Sequence, residues 1–304
     1  MEKRRPYRIK TISELHRLRG LPMPEHPLIS VINIEDIIRV DENANHFVLD
    51  FYSISIKRTQ GVKYKYGQQD YDFDEGVMFF MAPNQVMGLN IGAGLAAPSG
   101  WILLIHPDFL WNTALASGIK KYDFFDYSVN EALFLSQKEE DILNNIVKNI
   151  QQEYHSNIDK FSKQIIISQI ESLLNYSERF YHRQFITREK ANDEILDQLD
   201  KILTDRFNSS DLICTGLPKV QSICETMNIS VSYLSRVLKL LTGQSTQQFI
   251  HEKLIAKAKE KLSTTNLAIS EIAYELGFAH PQSFSKLFKT KTNLSPLEFR
   301  QTFN

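Results

Sequence analysis

The chain has 304 residues, a length that predicts about two domains. Its 42% hydrophobic and 23% charged residues are ordinary for a globular protein and exclude a collagen-like or disordered chain. The net charge is −1, but residues 215–304 carry 11 Lys and Arg against 6 Asp and Glu, which makes that end +5 and the remainder −6. A basic end favours an anionic partner for that end, although a solvated helical surface would explain the charge more simply.

The start of the chain and its cysteines predict where the protein works. The first ten residues are basic and no apolar segment follows them, so we expect no secretory signal. The apolar runs are much shorter than the roughly 18 residues of a membrane-spanning helix. Cys214 and Cys224 match neither a disulfide framework nor a Cys-x-x-Cys metal site. Together these features predict a cytoplasmic protein.

Residues 27–107 have the pattern of β-strands. Short runs rich in Val, Ile, Phe and Tyr are separated by Gly, Pro, Asn and Asp. In the second run the alternation places Ile54 and Ile56 on one face. Several strands with no helix between them predict an antiparallel barrel or sandwich. The runs lie at residues 29–33, 47–57, 62–66, 77–81 and 101–105.

Two amphipathic helices follow the strands. The first, over residues 137–154, has Ser136 as its predicted N-cap and Glu139 to complete a capping box. The second covers residues 162–183. Both apolar stripes have to be buried against the strands or against a partner helix. The predicted stripes are Ile142, Ile146, Val147 and Ile150 on the first helix, and Ile166, Ile170, Leu173, Leu174 and Ser177 on the second.

The stripe on the second helix also predicts how the chain assembles. Its flanking residues are charged: Glu171, Glu178, Arg179 and Arg183. A narrow apolar seam with charged sides suits a partner helix, so we predict a homodimer. The alternative is that the seam packs on residues 137–154 of the same chain.

The C-terminal residues contain an internal repeat. Its offset is 49 residues from Ile223 to Ile272 and 50 residues from Leu234 to Phe284. Each copy has the pattern of a short helix, a tight turn and a second helix, which is typical of a helix-turn-helix. Residues 247–262, between the copies, predict one long helix that holds the two units at a fixed distance.

The residue types at each turn support the repeat. Cys224 and Ala273 are small, so the second helix of each unit is able to cross the first closely. Asn228 and Gly277 suit a left-handed turn position, where Gly costs nothing and Asn is the tolerated alternative. The predicted core side of the second helices consists of Leu234 and Leu238 in the first unit and Phe284 and Phe288 in the second.

Three segments of the second copy carry a resemblance to a known family. Residues 272–278 read IAYELGF, residues 284–289 read FSKLFK, and residues 295–300 read SPLEFR. They resemble the signature of the AraC/XylS family of bacterial transcription regulators, over about residues 193–304. The N-terminal part resembles, more loosely, the cupin-like sensor domain of many members. The departures are Cys224, Leu238, Lys286, Asn293 and Phe299, which stand where the family usually has Ala, Phe, Arg, Gly and Tyr.

The resemblance implies an α+β protein of two domains. Residues 1–185 would form a cupin-like β-barrel with helices 136–156 and 160–183, for sensing and dimerisation. Residues 186–192 would be a linker, and residues 193–304 an all-α double helix-turn-helix of homeodomain-like units. The implied function is sequence-specific, effector-responsive regulation of transcription. The implied partners are double-stranded DNA, a second copy of the chain, a small-molecule effector in the N-terminal domain and, for an activator, RNA polymerase.

The resemblance also implies that both second helices enter successive major grooves of DNA. On their outer faces Arg236 suits guanine O6 and N7, Gln282 suits adenine N6 and N7, and the lysines suit phosphates. Each of these side chains, taken singly, would also be ordinary on a solvated helix. The predicted contacts are Ser232, Tyr233, Ser235, Arg236 and Lys239 in the first unit, and His280, Pro281, Gln282, Ser283, Ser285, Lys286 and Lys289 in the second.

We expect no catalytic residues, metal or cofactor. The eight histidines include no His-x-His pair, and Met87 and Leu89 stand near where cupin metal ligands would be. His251 begins no His-Glu-x-x-His motif, because Ile255 occupies its last position. Residues 92–97 match Gly-x-Gly-x-x-Ala, but Pro98 and Gly100 follow at once, so we predict a loop and not a dinucleotide site.

Two other functions stay open at this point. A cupin enzyme fused to a DNA-binding module would hold a metal, and an interaction module would bind a protein and no small molecule. Aromatic residues in the strand region, among them Tyr52, Phe79 and Trp101, would line either an effector pocket or an ordinary core. The basic residues 3–10 would cover such a pocket or form a frayed tail.

Overall fold

The computed structural model describes residues 6–38, 46–58, 64–66, 69–71, 76–88, 99–127, 131–156, 159–187, 189–209 and 211–303. Residues 92–97, Leu89, residues 62–63 of the third predicted strand and the start of the basic arm lie outside this range. The chain divides into two units, Met1–Thr187 and Arg188–Asn304. No helix within the described residues has both the length and the apolar character needed to cross a membrane.

The first unit is built on β-strands. A five-stranded antiparallel sheet has the order β10-β7-β4-β9-β2, and a three-stranded sheet has the order β1-β3-β8 with β1 parallel to β3. β5 and β6 form a separate hairpin. The strands are β1 (Tyr7–Ile9), β2 (Ile29–Asn33), β3 (His46–Leu49), β4 (Tyr52–Arg58), β5 (Tyr64–Tyr66), β6 (Gln69–Tyr71), β7 (Val77–Met81), β8 (Val86–Gly88), β9 (Ser99–Ile105) and β10 (Leu133–Phe134).

The five predicted runs coincide with strands where the structure describes them, with two corrections, whereas β1, β6 and β10 were not predicted. β2 and β7 have the predicted bounds, whereas the run at residues 47–57 is two strands, because the chain bends at Asp50 and Phe51 between β3 and β4. The amide of Asp50 donates to the carbonyl of Ile9 at 3.0 Å, which ties this bend to the end of β1. The second correction concerns closure: the strands that the structure describes form separate sheets and not a closed barrel.

Four α-helices accompany these sheets: α1 (Ile12–Leu18), α2 (Leu115–Gly118), α3 (Gln137–His155) and α4 (Ser162–Thr187). The predicted capping box of α3 is present, since the Ser136 amide donates to the Glu139 carboxylate at 2.9 Å. Arg183, near the end of α4, pairs with Glu139 at 2.6 Å, so α3 and α4 run antiparallel. Ile146, Val147 and Ile150 are buried as predicted. Ile142 is 36% exposed instead, and Leu143 takes its place in the core.

The stripe of α4 is buried within one chain. Ile170 and Leu174 are both 0% exposed without any second copy. The Ser177 hydroxyl of α4 lies 3.8 Å from the sulfur of Met78 on β7, so α4 packs on the sheet as well as on α3. The prediction that this seam packs on a partner helix is therefore wrong, and the intrachain alternative holds. The buried stripe consists of Ile166, Ile170, Leu173, Leu174 and Ser177, as predicted.

β4 is covered on both faces. Ile54 and Ile56 are 0% exposed, and the register pairs them with Phe80 and Met78, which contact α4 residues. The opposite face carries Ser53, Ser55 and Lys57. It lies toward the β1-β3-β8 sheet, since Leu104, the neighbour of Ser53, shares one core cluster with Phe47 and Leu49 of β3.

The second unit is all-helical and has one hydrophobic core. Helix α4 continues to Thr187 and the next helix begins at Glu189, so most of the segment predicted as a linker is helical. The helices of this unit are α5 (Glu189–Asn208), α6 (Leu212–Thr215), α7 (Val220–Met227), α8 (Val231–Thr242), α9 (Thr246–Thr264), α10 (Ile269–Glu275), α11 (Pro281–Thr292) and α12 (Pro296–Gln301).

Candidate nucleic-acid interface

The first helix-turn-helix consists of α7 and α8. Asn228 ends α7 in the left-handed conformation, with φ 55° and ψ 42°, as its residue type predicted. Ser230 caps α8, because its hydroxyl oxygen accepts a hydrogen bond from the Tyr233 amide at 3.1 Å. Cys224 is 1% exposed and lies in the same core as Leu234. These contacts fix the angle at which α8 leaves the turn.

The second helix-turn-helix consists of α10 and α11. Gly277 follows α10 with a φ of +84°, and a Cβ there would lie 2.9 Å from the carbonyl carbon of Gly216. Position 277 therefore requires glycine for two reasons: its φ is positive, and the backbone of the segment before α7 approaches it closely. Ala273 and Phe284 are 0% exposed in the core of this unit. Asn293 ends α11 in the left-handed region, with φ 62°.

Helix α9 holds the two units together. It extends over Thr246–Thr264, slightly beyond the predicted residues 247–262. A capping box starts it, in which the Ser245 amide donates to the side chain of Gln248 at 2.8 Å. Leu254 and Ala258 of α9 are 0% exposed, in one cluster with the core side chains of α8 and α11. The spacing of α8 and α11 is therefore set by a packed core.

The outer face of α11 carries most of the residues predicted to bind DNA. Pro281 begins the helix and is half-buried, as is Ser285, because both lie at the border of the core-facing side. The lysine side chains of α11 make no ion pair with any described residue. The exposed members of the predicted set are His280, Gln282, Ser283, Lys286 and Lys289.

The outer face of α8 is narrower. Ser232, Ser235 and Arg236 are half-buried, and Lys239 is exposed. The Ser235 hydroxyl lies 3.1 Å from the Thr246 hydroxyl at the start of α9, so this serine is tied to its own unit. The ammonium of Lys239 donates to the carbonyl of Gly243 at 3.0 Å, in the turn that ends α8. The outer face of α8 therefore offers fewer exposed side chains than that of α11.

Tyr233 does not lie on this outer face, which corrects the prediction. It is 4% exposed, and Val237, one turn later on the same side, is 0% exposed. The core-facing side of α8 is wider than the pair of leucines suggested, because positions 233 and 237 are buried together with 234 and 238. Its ring therefore supports the helix and is not available to a base.

The positive charge is unevenly distributed in this unit. Three of the four lysines of α9 form ion pairs, and the fourth, Lys259, has its ammonium 5.8 Å from the centre of the Phe299 ring. On α11, Lys289 lies near Glu298, whose pKa is held below its usual value by hydrogen bonds from Ser295 and by the Lys289 charge. The ion pairs of α9 are Lys253 with Asp200, Lys257 with Glu260 at 2.8 Å, and Lys261 with Glu275 at 2.6 Å.

Two further cations border the helix-turn-helix units and were not singled out from the sequence. Lys219 directly precedes α7 and Lys291 lies in the last turn of α11, and both are exposed. In the sequence they contributed only to the excess of Lys and Arg over Asp and Glu in residues 215–304. Within the described residues, no three His, Cys, Asp or Glu side chains are grouped as metal ligands.

Comparison with known proteins covers this same region. A model described as a helix-turn-helix domain matches residues 223–302. The transcriptional activator RhaS of Salmonella arizonae is 33% identical over 110 residues, 36% of this chain and 37% of that protein, and RhaS of Salmonella newport matches equally. The chain thus spans little more than a third of the length of these relatives. The C-terminal domain of AraT, a response regulator from Geobacillus stearothermophilus, is 31% identical over 36% of this chain and 84% of that domain, with a TM-score of 0.32.

Proposed function

We propose that this chain, whose residues 223–302 are a helix-turn-helix domain of the AraC type, is a sequence-specific DNA-binding regulator of transcription. The family comprises transcription regulators and not enzymes. The observation that carries the proposal is the pair of helix-turn-helix units built on one core, each with a polar outer face on its second helix. RhaS is named as a transcriptional activator. We propose that this chain also activates transcription and that RNA polymerase is therefore one of its partners.

In this proposal α8 and α11 enter successive major grooves on one side of the DNA. Arg236 and Gln282 contact base edges, since guanidinium and amide groups match guanine and adenine there. Lys239, Lys286 and Lys289 contact phosphates. Lys239 would exchange its exposed contact with the Gly243 carbonyl for a phosphate at small cost, because that contact is open to solvent. Ser232, His280, Ser283 and Ser285 complete the contact set, and Tyr233 is left out.

The first unit, in this proposal, is a cupin-like domain that senses a small molecule and forms a homodimer in the cytoplasm. What supports the sensing role is the pair of facing sheets around a shared core. The homodimer has to use side chains other than Ile170 and Leu174, since both are buried within one chain. The division of roles follows the boundary between Thr187 and Arg188.

The proposal is tested by selecting binding sites from random duplexes with the full chain. The selected DNA should contain two half-sites about 10–10.5 base pairs apart, in the same orientation, because the two units follow each other along the chain. Affinity should fall steeply with salt as counterions leave the phosphates. Failure to enrich any sequence, or an affinity that salt does not change, would refute the proposal.

Single substitutions separate the two kinds of contact. Arg236→Ala should cost about 1–3 kcal/mol at the selected site and relax the preference at one base pair. Lys286→Ala should weaken all sequences equally and reduce the salt slope by about 1. The matched control is Lys257→Ala on α9, whose ammonium already pairs with Glu260. Identical patterns for Arg236→Ala and Lys286→Ala would contradict the assignment of base and phosphate contacts.

A further inference from the structure

The inner face of β4 is polar although it is buried. Ser53 is 5% exposed and Ser55 is 6% exposed, and they alternate with Ile54 and Ile56 on the helix side. Neither hydroxyl makes a hydrogen bond to another residue in the described part of the chain. Neither hydroxyl oxygen is among the described side-chain atoms that are both closed to solvent and without a hydrogen bond. A stripe of this kind on a central strand therefore offers hydrogen-bonding groups to a polar ligand.

Two cations lie at the end of the same stripe. Lys57 follows Ser55 on this face, and its ammonium lies 5.4 Å from the centre of the Phe79 ring. The guanidinium of Arg19, just after α1, lies 4.9 Å from the centre of the Phe47 ring on β3. Both cations are half-buried, and burial together with the nearby charge of Arg19 lowers the pKa of Lys57. Two like charges therefore face each other between aromatic rings.

No described carboxylate compensates these two charges. Neither Lys57 nor Arg19 forms an ion pair with any residue that the structure describes. The other side of the same sheet is different: in a cleft of about 300 Å³ beside α3, Arg58 already pairs with the buried carboxylate of Glu140 at 2.8 Å. Lys57 and Arg19 are thus half-buried cations without an ion pair on the inner face, where a lower dielectric strengthens attraction for an anion.

We propose that the inner face of β4 binds a small organic acid, whose carboxylate lies between Lys57 and Arg19 and whose apolar body contacts the rings of Phe79 and Phe47. The hydroxyl of Ser55 donates a further hydrogen bond to the acid. A bound carboxylate neutralises the two cations with charge-assisted hydrogen bonds, which are stronger than neutral ones. This inference rests on the proposed sensing role of the first unit and names the chemical class of its effector.

The first experiment measures the melting temperature of the full chain with phenylacetate or hexanoate, and with phenylacetamide or hexanamide as uncharged controls of the same shape. The acids should raise the melting temperature in a saturable way and the amides should not. Lys57→Met and Arg19→Met should each weaken the acid about tenfold or more. Lys120→Gln, which removes an exposed lysine of the same unit, should bind the acid as the parent does.

The second experiment needs no ligand. Lys57→Met keeps the length of the side chain and removes one of two like charges, so it should raise the melting temperature in a low-salt buffer without acids. A lower melting temperature would show that a carboxylate of the chain already neutralises Lys57, and would overturn the inference. It is also overturned if no acid stabilises the parent, if the amides act as well as the acids, or if Lys57→Met responds to acid as the parent does.

Binding to the selected DNA separates this inference from the proposed function. The parent and Lys57→Met should both bind the duplex in the absence of acid, because Lys57 lies in the first unit. A parent chain that binds the DNA but shows no acid response would refute the organic-acid site alone. An acid response in a parent chain that binds no DNA would refute the proposed function and leave the acid site supported.

Discussion

Gly277 offers the sharpest test of how the second helix-turn-helix is built. In Gly277→Ala, the new side chain would sit at a φ of +84°, a left-handed conformation that costs an L-residue about 1–2 kcal/mol. Its Cβ would also lie 2.9 Å from the carbonyl carbon of Gly216 and 3.0 Å from the nitrogen of Leu217. Both are backbone atoms, so relief requires a shift of the chain, for which we add about 1–3 kcal/mol. The expected loss of stability is about 2–5 kcal/mol.

Gly243→Ala is the matched control. Gly243 has a φ of +73° at the end of α8, but a Cβ there would meet no atom within 4 Å. It therefore pays only the conformational cost of about 1–2 kcal/mol. The difference between the two variants isolates the contact with the Gly216–Leu217 backbone.

Urea unfolding measures both variants in the full chain. Both tryptophans, Trp101 and Trp111, lie in the first unit, so their fluorescence follows that unit alone. Circular dichroism in the far ultraviolet follows the helices of the second unit as well. Gly277→Ala should shift the dichroism transition to lower urea by more than Gly243→Ala does. Equal shifts for the two variants would refute the role assigned to the close backbone approach.

Three further predictions concern assembly, DNA geometry and pH. The double variant Ile170→Glu/Leu174→Glu should have an unfolded first unit, as measured by tryptophan fluorescence, because two charges would be buried without partners. The control Ile165→Glu changes a 43% exposed position and should stay folded. A folded double variant would contradict the intrachain packing of α4. Inserting about five base pairs between the half-sites should abolish simultaneous binding of α8 and α11, since one helix would face the wrong side of the DNA; an unchanged footprint would disprove a rigid α9. Burial and the charge of Lys291 lower the pKa of His251, so on acidification the unfolded chain binds this proton first and stability should fall as pH drops below about 6.5. Urea unfolding at several pH values should show a smaller fall for His251→Gln, and an equal fall would contradict this role of His251.

The repeated helix-turn-helix could be predicted from the sequence because its signals are local. The left-handed conformations of Asn228 and Gly277 follow from the residue types themselves. The capping box at Ser136 needs only residues three apart. The core positions Leu234 and Phe284 follow from helical spacing, which is the same in every helix of this kind. Such features need no knowledge of what packs against them.

Only the tertiary structure decided which amphipathic faces are covered and by what. Tyr233 and Ile142 have residue types and spacings compatible with either environment, and the neighbouring helices bury the first and leave the second exposed. The stripe at Ile170 would suit a partner helix equally well, but α3 and the sheet of the same chain already cover it. Alternation along β4 predicted two faces. The face of Ser55 is buried because the second sheet packs toward it, and in this packing Lys57 lies near Arg19. The periodicity of a sequence shows that a helix or strand has an apolar face. Which element packs against that face depends on contacts between residues far apart in the chain.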